Sequence, residues 1–240
     1  MRFGVTVAGN CNGNTSILDA PGDVALDLNN TLYVANTNNR LLIFPLNNLT
    51  GQTLQTFSSR PCYIYFDQRT LNFYISFINQ GRVYIRPANK TIPPNGINYN
   101  NCSLNGIWTP TIMVVDSNGT VYISSYNCNF VTKWLPDATT GILVAGSPTG
   151  SYGSTSTTLY IPYGLALDEI NGYLYAADRY NSRIQRFNLN GSNIGTTILG
   201  SAGVGTGANQ LNLPTDIYLS KIDGSHCIFV IIITIAFKNY

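Results

Sequence analysis

The chain has 240 residues and a formal net charge of +2, with only 10% of residues charged and 44% hydrophobic. Its 13 lysines and arginines are scattered instead of forming a basic stripe, which argues against nucleic-acid binding. The single histidine, His226, lies close to an atypical C-terminal tail, so the chain lacks the imidazoles for a histidine-rich zinc site or a histidine-dependent catalytic relay.

One pattern recurs along the chain. Each copy starts with a proline, continues into an apolar strand that ends in aspartate six residues later, and adds a tyrosine-centred strand and a third strand. The copies begin at Pro21, Pro61, Pro110 and Pro162, and a decayed fifth copy begins at Pro214. Their spacing of 40, 49, 52 and 52 residues is typical of propeller blades, which must stack on one another to bury their apolar faces.

In chain order, the repeat predicts an all-β fold, a single β-propeller domain over residues 1–240 built from four-stranded antiparallel blades. The second copy diverges, because a stretch rich in proline and asparagine at residues 87–101 replaces a clear outer strand. The predicted segments are the outer strand of a split or truncated blade at 1–10, a blade at 11–57, the divergent blade at 58–101, blades at 102–146 and 147–200, a partial blade at 201–230 and a doubtful tail at 231–240.

Three kinds of repeated residue have predicted structural roles. The aspartates that end the first strands should accept hydrogen bonds from turn N–H groups, and the residue pairs after them should supply the positive φ of tight hairpins. These aspartates are Asp27, Asp67, Asp116 and Asp168, and the pairs are Asn29-Asn30, Arg69-Thr70, Asn118-Gly119 and Asn171-Gly172. The repeat arginines Arg40, Arg82 and Arg183 are expected to lie over neighbouring tyrosines and turn carbonyls.

The fourth copy shows the pattern most clearly. It reads Pro162-Tyr163-Gly164-Leu165-Ala166-Leu167-Asp168, then Leu174-Tyr175-Ala176-Ala177-Asp178, then Asn181-Ser182-Arg183-Ile184. This pattern resembles the NHL-repeat family of β-propellers, and the resemblance covers residues 3 to about 220. It implies an incomplete six-bladed ring. Proteins of this family can also be ubiquitin ligases with a RING and B-box module, which this chain does not contain.

Both ends of the chain depart from the repeat. Residues 3–9 are predicted to form an outer strand that either closes the ring or marks a truncated N-terminus. The fifth copy decays after Leu219, although residues 227–230 could form its second strand. From about Ile231 the apolar run is interpreted as non-native sequence, such as a read-through intron, with a buried closing strand as the alternative. The run is too short to span a membrane, which takes roughly 20 apolar residues.

The five cysteines show no Cys-x-x-Cys spacing, so a structural zinc site is not expected. Cys102 precedes the third copy and Cys128 lies in the second turn of the same blade, and both positions fall at the same end of a blade. A Cys102–Cys128 disulfide is therefore reasonable in an oxidising compartment, with free buried thiols as an equally weighted alternative.

Seven Asn-x-Ser/Thr sequons make the chain a candidate glycoprotein. Their number is only slightly above the chance expectation for so asparagine-rich a chain. Together with the low charge and the candidate disulfide, they favour an extracellular or secreted location. The candidate glycosylation sites are Asn14, Asn29, Asn48, Asn89, Asn101, Asn118 and Asn190.

The residue two positions after each repeat proline is predicted to approach the mouth of the central channel. These residues are Asp23, Tyr63, Ile112, Gly164 and Asp216. Asp23, Tyr63 and Asp216 are the candidate binding residues. Two carboxylates are few for calcium, which takes roughly six to eight oxygens, so the preferred interpretation is that each accepts backbone N–H groups near the strand start.

The sequence therefore predicts a non-enzymatic propeller scaffold that recognises a protein or a glycan. Recognition would use the long loops at the end of the ring where the first strands begin. No cofactor is expected under this hypothesis. The alternatives are a calcium-dependent lactonase- or esterase-like hydrolase with its site in the central channel, and the substrate-recognition part of a larger NHL-type ubiquitin ligase.

Overall fold

The computed structural model describes residues 8, 18, 20–86, 90–92, 102–222 and 225–231. The predicted outer strand at residues 3–9, apart from Ala8, and the tail beyond Ile231 lie outside these residues. In the described part, four four-stranded antiparallel sheets are followed by one two-stranded sheet. The predicted all-β fold with four-stranded propeller blades is confirmed.

Strands in each sheet are hydrogen-bonded in chain order, so every sheet is a meander of hairpins. We number the sheets as blades 1 to 5. Their strands are β1 Pro21–Leu26, β2 Leu32–Asn36, β3 Arg40–Phe44, β4 Gln52–Thr56, β5 Tyr63–Asp67, β6 Asn72–Phe77, β7 Arg82–Arg86, β8 Lys90–Ile92, β9 Pro110–Val115, β10 Val121–Ser125, β11 Phe130–Trp134, β12 Ile142–Gly146, β13 Pro162–Asp168, β14 Tyr173–Asp178, β15 Arg183–Asn188, β16 Thr196–Leu199, β17 Asp216–Ile222 and β18 Ser225–Ile231. Short 3-10 turns occupy Ile78–Gln80 and Arg179–Asn181.

Blades 2 and 5 each contain a strand that the sequence analysis either did not expect or only suggested. Blade 2 does have an outer strand, because β8 pairs antiparallel with β7 inside the stretch that was expected to lack one. A strand of three residues is too short to show an alternating pattern, which explains why the sequence analysis missed it. In blade 5, β18 pairs with β17 and includes the predicted second strand at residues 227–230.

The blades pack through apolar faces whose composition follows the two-residue period of a strand. The third residue after each repeat proline faces the preceding blade: Ile64, Met113, Leu165 and Ile217 each belong to the core shared with that blade. The fourth residue faces the following blade, as with Ala25, Tyr65, Val114 and Ala166. At the two ends of the described arc, Val24 is 53% exposed and Tyr218 is 62% exposed.

The first strands of neighbouring blades run in the same direction. Near their beginnings, the Ile64 amide donates to Asp23 Oδ2 over 3.1 Å. Beyond their ends, the Ser117 amide donates to Glu169 Oε1 over 2.9 Å. The ring therefore has a start face, where first strands begin and second strands turn into third strands, and an end face, which holds the two other turns of each blade.

The repeat aspartates accept turn amides on the end face, as predicted. Asp27 Oδ1 accepts from the amides of Asn29 and Thr31, both at 2.9 Å, and Asp116 Oδ1 accepts from the corresponding amides in blade 3. The predicted positive φ is correct for blades 1, 3 and 4 but misplaced in blade 2, where it falls on Leu71 and not on Arg69 or Thr70. The reason is that the turn between β5 and β6 is one residue longer than the corresponding turns of blades 1 and 3, so the positive φ falls four residues after Asp67, as it does at Gly172 in blade 4.

The predicted arginine–tyrosine contacts are not found for Arg82 and Arg183 in the described part of the chain, so for these two residues this part of the prediction was wrong. Arg40 Nε donates to Asn38 Oδ1, and the guanidinium of Arg82 lies 5.6 Å from the ring centre of Phe77. Arg183 does bind carbonyls of a neighbouring loop, together with the buried carboxylate of Asp178. Because the tyrosines of the second strands face the following blade, they are not available to these arginines.

Cys102 and Cys128, the pair considered in the sequence analysis, form a disulfide with a Cα–Cα distance of 5.2 Å. It links the segment before blade 3 to the turn between β10 and β11, so it fixes two parts of the start face. Cys62 is a free cysteine.

We expect that replacing both disulfide cysteines with alanine will lower the free energy of unfolding by about 3 kcal/mol, because the bridge closes a loop with a sequence separation of 26. Urea denaturation with and without reductant measures this cost. A Cys62→Ala variant, which keeps the disulfide, is the control. Equal unfolding midpoints for the oxidised protein and the double variant would contradict the expectation.

Candidate functional site

The first strands of the blades surround a central cavity of about 640 Å³ that lies toward the start face. Its wall combines tyrosines and aliphatic residues with two acidic side chains, Asp23 and Asp216, and one basic side chain, Arg179. The lining residues are Gly22, Asp23, Tyr63, Ile64, Tyr65, Ile112, Met113, Val114, Tyr126, Tyr163, Leu165, Arg179, Thr215, Asp216 and Ile217.

The structure brings together the residues that lie two positions after each repeat proline. Asp23, Tyr63, Ile112 and Asp216 all line the cavity. Gly164, the fifth such residue, lies where the first strands of blades 4 and 5 approach most closely: a Cβ atom there would stand 2.5 Å from the Cα of Asp216. A side chain at this position would push the two blades apart. A role of Asp23, Tyr63 and Asp216 in ligand binding remains a prediction.

Asp23 and Asp216 both carry partly buried carboxylates at the cavity wall. Burial raises the pKa of Asp23 from 3.8 to about 6, and the nearby charge of Asp216 adds to this increase. Burial also raises the pKa of Asp216, whose Oδ1 accepts the Ile217 amide over 2.8 Å. Both side chains therefore accept backbone N–H groups, as the sequence analysis expected. Neither forms an ion pair with any residue of the described ranges.

Tyr63 meets Tyr163 across the cavity. The Tyr63 hydroxyl donates a hydrogen bond to the Tyr163 hydroxyl, and the ring centres are 5.9 Å apart in an edge-to-face arrangement. Burial and this hydrogen bond raise the pKa of Tyr63, so the phenol stays protonated. The contact links blades 2 and 4.

A continuous series of aromatic contacts leads from an exposed loop into the cavity. Tyr152 stacks on Tyr160 with 4.6 Å between ring centres, and Tyr160 meets Tyr180 edge-to-face at 5.1 Å. The Arg179 guanidinium lies 5.4 Å from the centre of the Tyr180 ring and 5.7 Å from that of Tyr163. Tyr163 then contacts Tyr63 and Tyr126. We call these seven residues, from Tyr152 to Tyr63 and Tyr126, the tyrosine track.

The track is open to solvent at its outer end and partly buried at its inner end. Tyr152 is 66% exposed and Tyr180 is 42% exposed. At the inner end, Arg179 Nε is buried and has no hydrogen-bond partner in the part of the chain that the structure describes. A buried donor without a partner is costly, so an acceptor oxygen supplied by a ligand would be favourable at this point.

The loop that carries Tyr152 is held in place by polar contacts. Arg183 donates to the carbonyl groups of Ser154 and Thr155 over 2.7 and 2.8 Å, and its Nε contacts Asp178 Oδ2 at 2.7 Å. Asn181 Nδ2 donates to the carbonyl of Gly153 over 2.8 Å. The outer end of the track is therefore positioned before any ligand arrives.

Sequence reasoning missed Tyr163, Tyr126 and Arg179. Tyr163 directly follows a repeat proline, while Tyr126 and Arg179 begin the turns after the second strands of blades 3 and 4. A signal was present, because these turns were already expected on the same face as the strand starts. The contacts of Tyr163 with Tyr63 and Tyr126 join residues from different blades and could not be read from one repeat, whereas Arg179 and Tyr163 belong to the same blade.

The calcium-dependent alternative gains no further ligand from the structure. Within residues 20–86 and 102–219, no group of three or more His, Cys, Asp or Glu side chains is arranged to hold a metal ion. Asp23 and Asp216 remain two carboxylates for a cation that takes roughly six to eight oxygens. The tyrosines and Arg179 are therefore the residues with the clearer binding geometry.

Four of the seven sequon asparagines lie in the described part of the chain, and all four are exposed in turns on the end face: Asn29, Asn48, Asn118 and Asn190. The turn of Asn190 contacts the segment that carries Tyr152, because Asn193 Nδ2 donates to the Gly146 carbonyl over 3.0 Å. Asn14, Asn89 and Asn101 lie outside the described residues. Glycosylation stays a prediction.

Comparison with known proteins supports the fold. No family model matches the chain, and no curated protein matches it. Among solved structures, an auxiliary nutrient binding protein from Bacteroides ovatus superposes with a TM-score of 0.61 at 14% identity, covering 90% of this chain and 57% of that one. Streptogramin B lyase superposes with a TM-score of 0.58 at 12% identity, covering 85% and 60%.

A structure of a nidogen/laminin complex matches with a TM-score of 0.58 at 14% identity, covering 82% of this chain and 67% of that one. The chain thus spans between 57% and 67% of the length of these three structures. At such low identities the likeness establishes a β-propeller fold and nothing about activity. The described residues also contain no helix with the length and apolar character needed to cross a membrane.

Proposed function

We propose that this β-propeller is an NHL-type, non-enzymatic recognition module that binds a glycan on its start face. The ligand would lie along the tyrosine track with one end in the central cavity. The observation that carries this proposal is the unbroken series of contacts from Tyr152, which is 66% exposed, to Tyr63 inside the cavity.

The chemistry of the track suits a sugar chain. Tyrosine offers a flat apolar face for the C–H groups of a sugar ring and a hydroxyl for hydrogen bonds, and it loses little conformational entropy on binding. The unpartnered Nε of Arg179 can donate to a sugar oxygen. A cavity of about 640 Å³ falls within the size range of small-molecule sites.

The binding surface is largely formed in advance. The Arg183 and Asn181 contacts hold the loop at residues 153–158, and the Cys102–Cys128 disulfide fixes another part of the same face. Preorganisation reduces the entropy lost on binding and so favours affinity. A disulfide also fits the proposed extracellular location, where glycan ligands are abundant and thiols are oxidised.

A glycan array followed by calorimetry with the best oligosaccharide tests this function. Tyr152→Ala and Tyr163→Ala should each weaken binding by about tenfold or more, since loss of an aromatic anchor typically costs 1–2 kcal/mol or more. Tyr218→Ala removes an equally exposed tyrosine that is not part of the track, and it should keep the original affinity.

Two results would contradict the proposal. The first is the absence of glycan binding by the folded protein across the array. The second is glycan binding that both track variants retain, which would place the ligand elsewhere. If the folded protein instead binds a protein ligand selectively and both track variants lose this binding, the tyrosine track is the binding surface but its ligand is a protein and not a glycan.

A further inference from the structure

Two carboxylates in the cavity lack a cation. Asp23 Oδ2 accepts the Ile64 amide over 3.1 Å and Asp216 Oδ1 accepts the Ile217 amide over 2.8 Å, but neither forms an ion pair with a described residue. Both side chains are partly buried, and even partial burial of a charge without a partner is unfavourable. Burial accordingly raises the pKa of both groups.

The fold itself does not need a carboxylate at these positions. The equivalent residue is Tyr63 in blade 2, Ile112 in blade 3 and Gly164 in blade 4, and each of these blades forms its complete sheet. An asparagine oxygen could also accept the same backbone amides as Asp23 and Asp216. The negative charge therefore has no structural task that a neutral residue could not perform.

The other charged group of the cavity does not neutralise them. Among the described residues, Arg179 forms no ion pair with either aspartate, and its guanidinium instead lies 5.4 Å and 5.7 Å from the ring centres of Tyr180 and Tyr163. The aspartates thus leave a region of negative potential in a wall that also presents tyrosine rings, whose faces attract organic cations. A positively charged group on a ligand would find both interactions in one place.

We propose that the Asp23–Asp216 side of the cavity recognises an ammonium group of the ligand, which in a glycan is the free amine of an amino sugar. This inference rests on the proposed function, since the tyrosine track would guide the sugar chain into the cavity. Asp23 and Asp216 set the preference for the charged sugar, and the tyrosines provide contacts common to charged and neutral sugars.

The experiment compares three β-1,4-linked tetrasaccharides that differ only at the C2 substituent: hydroxyl in cellotetraose, acetamide in the N-acetylglucosamine tetramer and ammonium in the glucosamine tetramer. Binding to the full chain is measured by calorimetry just above the pKa of Asp23. The glucosamine tetramer should bind about tenfold or more tightly than cellotetraose, because charge complementarity discriminates between otherwise similar ligands. If the array selects another glycan, its 2-amino and 2-hydroxy forms replace these tetrasaccharides.

The Asp23→Asn and Asp216→Asn variants test the assigned residues. In the double variant, the ratio of the affinity for the glucosamine tetramer to the affinity for cellotetraose should fall to about one. Asp137→Asn, which changes an exposed aspartate in a turn on the end face, should retain the original ratio. Circular dichroism confirms that each variant keeps its β-sheet fold.

A second pair of probes tests the ammonium preference without a sugar. Choline should bind more tightly than its neutral isostere 3,3-dimethylbutan-1-ol, and the double aspartate variant should lose this difference. If choline shows this behaviour and no glycan binds, the ammonium site stands and the glycan function falls. Equal binding of the three tetrasaccharides, or a preference that survives the double variant, overturns the ammonium site and leaves the glycan function in place.

Discussion

Replacing Arg183 with methionine is expected to lower the free energy of unfolding by about 3–5 kcal/mol, the range for breaking a buried ion pair by removing one partner. Asp178 is fully buried, and its Oδ2 lies 2.7 Å from Arg183 Nε. Burial already raises the pKa of this carboxyl, and the arginine opposes that effect. Without the arginine, the contacts of Asp178 with the described residues would be those with Asn181 and the Tyr160 amide.

The same variant should also release the loop that carries Tyr152, because Arg183 donates to the carbonyl groups of Ser154, Thr155 and Thr158. Chemical denaturation measures the stability loss, and limited proteolysis under native conditions should show faster cleavage within residues 150–158. Glycan affinity should fall as well, since the outer end of the tyrosine track would no longer be held in place.

Two further variants separate the ion pair from general effects of the substitution. Arg186→Met lies on the same strand, where the guanidinium covers the Tyr173 ring at 4.4 Å, and should cost about 1 kcal/mol or less. Combining Arg183→Met with Asp178→Asn should recover part of the loss, because no unpaired charge remains buried. A cost for Arg183→Met no greater than that of Arg186→Met would refute the structural role of the pair.

The Asp23→Asn variant should be more stable than the original protein at neutral pH by about 2 kcal/mol. The pKa of Asp23 is raised from 3.8 to about 6 by burial, and each unit of pKa shift corresponds to about 1.4 kcal/mol. Solvent screening makes the energy smaller than the full conversion, because the side chain retains partial contact with solvent. The asparagine oxygen can still accept the Ile64 amide, so the change removes charge without removing this hydrogen bond.

The stability gain should depend on pH in a specific direction. A carboxyl whose pKa is higher in the folded state favours folding when it is protonated, so its stabilising contribution is complete below the unfolded pKa of 3.8 and is lost as pH rises through about 6. The gain from Asp23→Asn should therefore be largest above pH 6 and vanish near pH 4. Thermal unfolding of both proteins across this range provides the measurement.

Asp216→Asn supplies the matched comparison. It should also stabilise the protein at neutral pH, and it should lower the pKa of Asp23 by removing a neighbouring negative charge. The double variant should gain less than the sum of the single gains, because their mutual repulsion is lost in either one. Loss of stability in both single variants at neutral pH would show that the charges support the fold. A gain in stability with loss of ammonium preference would show a functional cost of the kind common at binding sites.

The repeat made most of the blade architecture predictable from sequence. The spacing of the repeat prolines predicted the first strands and the aspartate turns. The position two residues after the proline predicted that Asp23, Tyr63 and Asp216 would lie at the cavity. Contacts between distant repeats could not be inferred in this way. The Tyr63–Tyr163 hydrogen bond joins residues 100 positions apart in blades 2 and 4, and Tyr126 of blade 3 contacts Tyr163 of blade 4.

The alternating faces of the first strands have an evolutionary consequence. In the described residues, blades 2 to 5 meet their predecessors through the third and fifth residues after the proline, and blades 1 to 4 turn the fourth residue to their successors, whatever the particular side chains are. A gene segment that encodes one blade can therefore be duplicated or deleted, and the neighbours on either side still meet a surface of the kind they met before. Homologues that differ in blade number should consequently keep this spacing from proline to strand, even where the lining of the cavity has diverged.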